Sequence, residues 1–380
     1  ITTESDEKIY DGTRLVNLAY DFKVQENGGL VDGHILNVTV IGTITDVGSA
    51  LNIADESLTA ITDKLGNDVM FNYDISYEYG TLIVTPRAIT ITTATDGKIY
   101  DGTPLTNAKF GYKEQENGGL VDGHILNVAV IGAITDAGST LNIADETQTA
   151  ITDKSGNDVT HNYDISYEYG TLTVTERPIT VITDDKEFVY NGENQYCEEF
   201  KIAGEYGLVG WHYAVVTSAT KVKNVADSGV ENKLVIEIFN GEENVTANYA
   251  IAYEYGILTV LQREITVVTE SNEFIYNGDK QYCEEFKIVG NGLVAWHYAV
   301  VTSNTKVKNV ADSGAQNKLV IEIYSGEENV TANYRIAYEY GILIVKQRKI
   351  TVTTASDEKI YDGTPLTNAK FDSKVQENGG

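Results

Sequence analysis

Four histidines occupy one slot in successive stretches of this chain, His34, His124, His212 and His297, and the last two follow a tryptophan and precede a tyrosine. An imidazole can ligate a metal or move a proton, and an aromatic triplet can stack on a sugar ring. A metal site needs a second His or Cys at ligand spacing, and none is present. Packing or a loop role is therefore the first reading of these histidines. The segments Trp211-His212-Tyr213 and Trp296-His297-Tyr298 remain the candidate ligand-binding patches. Acidic turns supply another possibility. Asp63, Asn67, Asp68 and Asp74, with their counterparts Asp153, Asn157, Asp158 and Asp164, carry the hard oxygens that Ca2+ prefers. The same Asp-Lys-Xxx-Gly-Asn-Asp string is also an ordinary hairpin turn, and later copies replace it with Asn-Gly-Glu-Glu-Asn or Ser-Gly-Glu-Glu-Asn. No metal site is assigned, and Ca2+ is the one cofactor left open.

Cys197 and Cys283 are equivalent positions of adjacent copies. Stacked end to end, they stand on the order of 35 Å apart, far beyond the roughly 7 Å that a disulfide spans. They are expected as small, semi-buried free thiols, with a cross-link between chains as the sharper alternative. An isopeptide bond would require Lys98 beside Asn162 and Glu168, but Phe188 and Phe274 stand in the lysine's place in the later copies. No Ser/His/Asp order, no phosphate-cradling glycine loop at a helix start and no cysteine with a candidate base occurs within a copy. Catalysis is not expected.

These candidates recur because the chain itself repeats. The anchor tyrosines are Tyr10, Tyr100, Tyr190, Tyr276 and Tyr361, and subtraction of consecutive positions gives spacings of 90, 90, 86 and 85 residues. Units of that size are small domains rather than solenoid turns. Type A copies share GGLVDGHILNV and NYDISYEYGTL. Type B copies share QYCEEFKI, WHYAVVTS and KVKNVADSG. The order A, A, B, B, A gives repeats at 1–88 (first strand truncated), 89–178, 179–264, 265–349 and an incomplete one at 350–380. Both ends fall inside a repeat, which reads as a window on a longer array.

Strands dominate the pattern. Tyr73, Ile75, Tyr77 and Tyr79 alternate with Asn72, Asp74, Ser76 and Glu78, which places the two sets on opposite faces. A glycine follows (Gly80, Gly170, Gly256, Gly341), expected to relieve a tight turn or bulge, and then a last strand. Ile-Thr-Ile-Thr-Thr supplies a first strand, and Tyr-Asp-Gly or Tyr-Asn-Gly supplies hairpin-turn chemistry. Further strands are expected at 125–131, 234–239 and 319–324. No amphipathic helical period of useful length is present. The fold expected is all-β: tandem small β-sandwich domains, Ig-like or alternatively β-grasp-like, forming an extended rod.

Fifty-six acidic residues against 28 basic ones give a net charge of −28, spread over every repeat. Phosphate binding needs a basic footprint, so nucleic acid is excluded as a partner. One Met, two Cys, four Pro and 25 Tyr suit an extracellular protein. The junctions TPRAIT, TERPIT, LQREIT and KQRKIT carry one last strand through Arg87, Arg177, Arg263 or Arg348 directly into the next first strand, with no Gly/Ser linker. Each arginine is expected to be a solvated charge or an interdomain ion pair worth at most about 1 kcal/mol if exposed.

KIYDGTPLT at 98–106, GLVDGH at 119–124, TDAGS at 135–139 and GNDVTHNYDISYEYGTLTVTERPIT at 156–180 resemble the tandem YDG/MBG-type repeats of very long bacterial surface proteins. The likeness covers the whole chain and is closer in the A copies. It implies Gram-positive-like adhesins or stalks, at the cell surface, in which such repeats give reach and rigidity rather than chemistry. Two other functions stay open: a subunit of a self-assembling extracellular filament, and a glycan-binding module acting through the Trp-His-Tyr segments. The partners expected are neighbouring repeats, other copies of the chain or cell-surface glycans. Neither nucleic acid nor membrane contact by this segment is expected.

Overall fold

The computed structural model describes residues 1–24, 28–114 and 118–375. Gly380, the last residue of the expected incomplete repeat, lies outside them. The described residues form strands and short 3-10 turns only, with no α-helix to lie across a sheet as a β-grasp arrangement requires. The fold is all-β, and its units are β-sandwiches.

The second repeat shows the wiring. Its first strand, Arg87–Thr93, pairs antiparallel with Phe110–Lys113 and parallel with Tyr163–Glu168. Its last strand, Thr171–Thr175, pairs antiparallel with Gly138–Leu141 and parallel with Asp96–Ile99. Arg87–Thr93 and Asp96–Ile99 are adjacent in sequence yet lie in different three-stranded sheets, which makes two layers. A further antiparallel pair, Ile125–Val130 with Ala144–Thr152, shifts register between Asn127 and Ala129. Ile89, Ile91, Leu172 and Val174 fill the space between layers, each at most 2% exposed. The β-branched residues suit the pleated surface they cover.

The fourth repeat reproduces this plan: Arg263–Thr269 pairs with Phe286–Gly290 and, in parallel, with Tyr334–Glu339. Ile342–Lys346 pairs in parallel with Asn272–Ile275. The strands expected near 234–239 and 319–324 run Leu234–Asn240 and Leu319–Ser325. In the first repeat the leading strand is only Thr2–Thr3. The alternating tyrosine segment beside it is accordingly no continuous strand, and only Thr2 bridges to Glu78.

The glycine after each tyrosine run has a different cause from the one expected. Gly170 does not need a left-handed backbone. A Cβ there would come within 2.4 Å of the Ala94 backbone carbonyl, so the residue is small because two chain segments touch. A buried asparagine braces the same corner, as Asn142 Nδ2 donates to the carbonyls of Ala94 and Asn107. The Tyr-Asp-Gly segment is likewise no hairpin turn, since the strand ahead of it pairs in parallel with the distant last strand.

The chain divides into two compact units. One comprises Ile1–Arg177 with Val245–Ala250, the other Pro178–Asn244 with Ile251–Gly380.

Candidate functional site

Hydrophobic packing does not stop at the repeat boundaries inside either unit. In the first unit Tyr10, Leu15, Leu82 and Val84 of the first repeat share one cluster with Ile89, Ile151, Val159 and Tyr163 of the second. In the second unit Tyr190, Cys197 and Val222 share a cluster with Val294, Ile321, Ile323 and Tyr334. The anchor tyrosine of each loop is the residue that crosses. Tyr10 is 3% exposed and meets Tyr163 edge-on with ring centroids 5.8 Å apart. Tyr190 is fully buried and meets Tyr334 in the same way at 5.6 Å. Tyr100 and Tyr249 repeat the contact at 5.7 Å.

The repeated histidine completes this joint. His124 Nδ1 and the Tyr163 hydroxyl share a hydrogen bond of 2.7 Å, and the Val121 backbone N–H donates to the same hydroxyl. His297, Tyr334 and Val294 make the matching set. A hydroxyl that accepts from the backbone still has a proton to donate to Nδ1, a pairing that the neutral ring allows. Burial pushes the pKa of His124 and of His297 below the ordinary value, because desolvation disfavours the charged ring. Burial is also the main cause that raises the Tyr10, Tyr163 and Tyr334 hydroxyls.

An asparagine next to each partner tyrosine hydrogen-bonds a turn of the preceding repeat. Asn162 Nδ2 donates to Asp46 Oδ1 at 2.9 Å, while its Oδ1 accepts from Val47 N–H at 2.7 Å. Asn248 holds Asp136 and the Ala137 N–H in the same way. Asn333 holds Asn224 and the Val225 N–H. A buried amide satisfied on both sides is specific in direction and costly to break.

Arg87 and Arg263 correct the expectation placed on the junction arginines: among the described residues neither stands as a solvated charge or joins an ion pair across the boundary. Arg87 is half-buried, and its guanidinium donates to the carbonyls of Gly118, Gly119 and Tyr10. Arg263 donates to the carbonyls of Asn291 and Gly292. A planar five-donor fork suits a ring of carbonyls, which a lysine cannot span.

Loop glycine follows from the same geometry. Gly12 and Gly192 have φ of +77° and +81°. A Cβ on Gly192 would lie 2.9 Å from Trp296 Cζ2 and 3.1 Å from Val294 Cγ1 of the next repeat. The turn needs a left-handed residue, and the neighbour leaves it no room for a side chain.

The other candidates fall as follows. Asp63 Oδ1 accepts from the Leu65 and Asn67 N–H groups and its Oδ2 from Asn67 Nδ2, while Asp68 accepts from Met70 N–H. Asp153, Asn157 and Asp158 form the same turn. These oxygens close a hairpin, and among the described residues no group of three or more His, Cys, Asp or Glu gathers as a metal set. His212 and His297 are buried, at 8% exposure each, whereas Trp211, Trp296, Tyr213 and Tyr298 are about half exposed, so the triplets do not present three rings together. Tyr298 is tied down by stacking on Tyr324 and by donating to the Gly326 carbonyl. Lys98 does not face Asn162: its ammonium donates to Asp101 and to Thr103 within its own loop, and the lysine is the first cause holding Asp101 down to about 2. Cys197 and Cys283 are free thiols, each 4% exposed, which opposes a cross-link between folded chains.

Sequence reasoning missed the anchor tyrosine, read as a turn residue, and the asparagine of the Asn-Tyr dipeptide. Both recur in every complete copy whether the copy is type A or type B, which is the signal that marked them.

No protein-family model matches the chain, and no curated protein matches it. Among solved structures, Drosophila N-cadherin EC1-4 is similar at 8% identity with a TM-score of 0.21, over 92% of this chain and 99% of that one. The N-terminal four Ig domains of Dscam1 isoform 8.4 are similar at 10% identity with a TM-score of 0.16, over 91% and 97%. The N-terminal eight Ig domains of Down Syndrome Cell Adhesion Molecule isoform 1.30.30 are similar at 11% identity with a TM-score of 0.16, over 92% and 48%. Superpositions at these TM-scores carry no argument about what this chain does.

Proposed function

We propose that these repeats are structural: jointed spacers of an extracellular bacterial surface protein of the YDG/MBG-repeat kind, giving reach and rigidity to whatever the protein displays. The observation that supports the reading is the joint itself. The anchor tyrosine and the asparagine make their ring contact and amide hydrogen bonds to the neighbouring repeat, the histidine holds the tyrosine that receives them, and Arg87 reaches the Tyr10 carbonyl across the boundary. Only one residue, Pro86 or Gln262, separates the last strand of one repeat from the first strand of the next. A chain joined in this way resists bending at the boundaries inside each unit, because bending there must break buried aromatic contacts and a satisfied amide. The net charge of −28 favours solubility and keeps long parallel molecules apart at low salt.

Small-angle scattering tests the proposal. Four repeats of about 35 Å each give a maximum dimension of about 140 Å and, for a thin rod, a radius of gyration near 40 Å, roughly the former divided by the square root of twelve. A value near 21 Å, which a single compact body of this length would have, would sink the spacer reading.

A further inference from the structure

Two hairpins, one in each B repeat, share a geometry and differ in one residue that bears chemistry. Leu234–Asn240 turns back on Glu243–Asn244 through Gly241 and Glu242, with Asn240 paired to Glu243. Leu319–Ser325 turns back on Glu328–Asn329 in the same register, with Ser325 paired to Glu328. Gly241 and Gly326 both have φ of +60°, the left-handed first turn residue that a two-residue hairpin favours. A Cβ on either would meet nothing within 4 Å, so open space surrounds both turns. The Tyr213 hydroxyl donates to the Gly241 carbonyl at 2.8 Å, and that of Tyr298 to the Gly326 carbonyl at 2.9 Å. These bonds engage the carbonyl of each glycine and leave its N–H outside the ladder, because the last rung before the turn joins Asn240 to Glu243 or Ser325 to Glu328.

We propose that Asn240-Gly241 is a self-modifying site, at which the backbone nitrogen of Gly241 attacks the side-chain carboxamide carbon, Cγ, of Asn240. The N–Cγ bond forms, the Gly241 N–H proton passes to the leaving amine, and ammonia departs from a five-membered succinimide. Water then adds to one of the two ring carbonyls and breaks its bond to nitrogen, which gives an aspartyl residue or, by opening at the backbone carbonyl, an isoaspartyl one. The balance is one water consumed and one ammonia released. Freedom of the backbone selects this asparagine. Ring closure takes Asn240 out of its strand conformation, and the arm that gives way is only Glu243–Asn244. The attacking glycine has no Cβ to obstruct the approach. Other Asn-Gly pairs are held. Asn191 Oδ1 and Asn277 Oδ1 accept from the N–H groups of Glu193 and Asp279, and Gly192 is buried where Trp296 and Val294 leave no room. Arg263 fastens the carbonyls of Asn291 and Gly292. The product changes the hairpin. A carboxylate at position 240 stands opposite Glu243 and close to Glu242, and like charges facing each other across a ladder destabilise it. The isoaspartyl form also lengthens the backbone by one carbon and displaces the rung. The third repeat thus gains with age a charge and a loosened turn that the fourth, with Ser325, does not. This inference is independent of the spacer reading.

Peptide mapping tests the proposal on the folded chain held for weeks at mildly alkaline pH and then digested at low pH, where the reaction stops. The peptide spanning Asn240 should gain about 1 Da as –NH2 becomes –OH, localised to Asn240 by fragmentation, with the isoaspartyl form the larger product. The peptide spanning Asn191 should react at least about tenfold more slowly in the folded chain, and the difference should vanish in urea, where both backbones are free. Ser325→Asn should create a second reactive turn in the fourth repeat at a rate similar to that of Asn240. Asn240→Ser, which installs the residue the fourth repeat already carries, should abolish the mass gain at that turn and leave circular dichroism unchanged. An Asn240 that stays intact in the folded chain, equal native rates at Asn191 and Asn240, or an unreactive Ser325→Asn turn would each overturn the proposal. The scattering dimension of freshly prepared chain is untouched by any of these results, so the spacer reading is judged separately.

Discussion

Tyr190 and Tyr276 sit at the same position of nearly identical loops, and the structure assigns them different costs. Tyr190 is fully buried, with Tyr334 edge-on and His297 at a ring distance of 5.9 Å, whereas Tyr276 keeps 37% of its surface in water. An aromatic side chain buries about 150–250 Å², so this difference is roughly 55–90 Å². At about 25 cal/mol per Å² it amounts to about 1.5–2 kcal/mol, and the edge-on ring contact adds about 1 kcal/mol. Tyr190→Ala is therefore expected to cost about 3–5 kcal/mol, as large aromatic truncations do, and Tyr276→Ala about 1–2 kcal/mol. A chain of several repeats need not unfold in one step, so the assay is hydrogen exchange measured peptide by peptide. Tyr190→Ala should speed exchange in two places: its own third repeat, and Leu319–Tyr334 of the fourth, where its ring packs. Equal costs for the two variants, or an effect confined to the third repeat, would refute the claim that the tyrosine belongs to the joint.

Gly192→Ala and Gly278→Ala share the strain of a positive φ, about 1–2 kcal/mol, but only the former meets Trp296 and Val294. It should cost about 1–3 kcal/mol more in urea unfolding, and Trp fluorescence should follow the loss. Stability should depend on pH through the buried histidines. Their folded pKa is lowered by burial, so the unfolded chain binds more protons below the ordinary 6.5. The contribution is complete above that value and drains away as pH falls below it through the folded pKa, lowering Tm; His124→Gln should flatten the slope. Asp101, held down to about 2, loses its contribution only as pH falls from 3.8 toward that value, so the two windows separate. Thiol reagent should leave Cys197 and Cys283 unmodified in the native chain and label both in urea; native labelling would contradict their burial.

The strands were legible wherever burial alternates within one segment. Tyr163, Ile165 and Tyr167 turn inward between Asp164, Ser166 and Glu168, and Leu234–Asn240 buries every second residue. Pairing was not legible, because Arg87–Thr93 lies in parallel beside a strand at the far end of its repeat, and local composition does not encode such a partner. The joint was hidden for a related reason. Tyr10 and Tyr190 stand beside Asp-Gly and Asn-Gly, which reads as turn chemistry, and their burial is supplied by residues more than a repeat away. Likewise Arg87 looks like a surface charge until the carbonyls of Gly118 and Gly119 are brought to it. The Asp-Lys-Xxx-Gly-Asn-Asp turns were readable as hairpins because every partner lies within four residues.

The parallel pairing of the entering and leaving strands has a mechanical meaning. When the chain is pulled from both ends, tension enters the second repeat through Arg87–Thr93 and leaves through Thr171–Thr175. Each of these runs parallel to its strand neighbour, Tyr163–Glu168 or Asp96–Ile99. Force along such a ladder slides one strand past the other and strains all of its rungs together, whereas an antiparallel hairpin pulled from its open end would peel one rung at a time. The second repeat thus carries a shear clamp at both its entrance and its exit, and the single residue at Pro86 passes the load into it with no slack to take up.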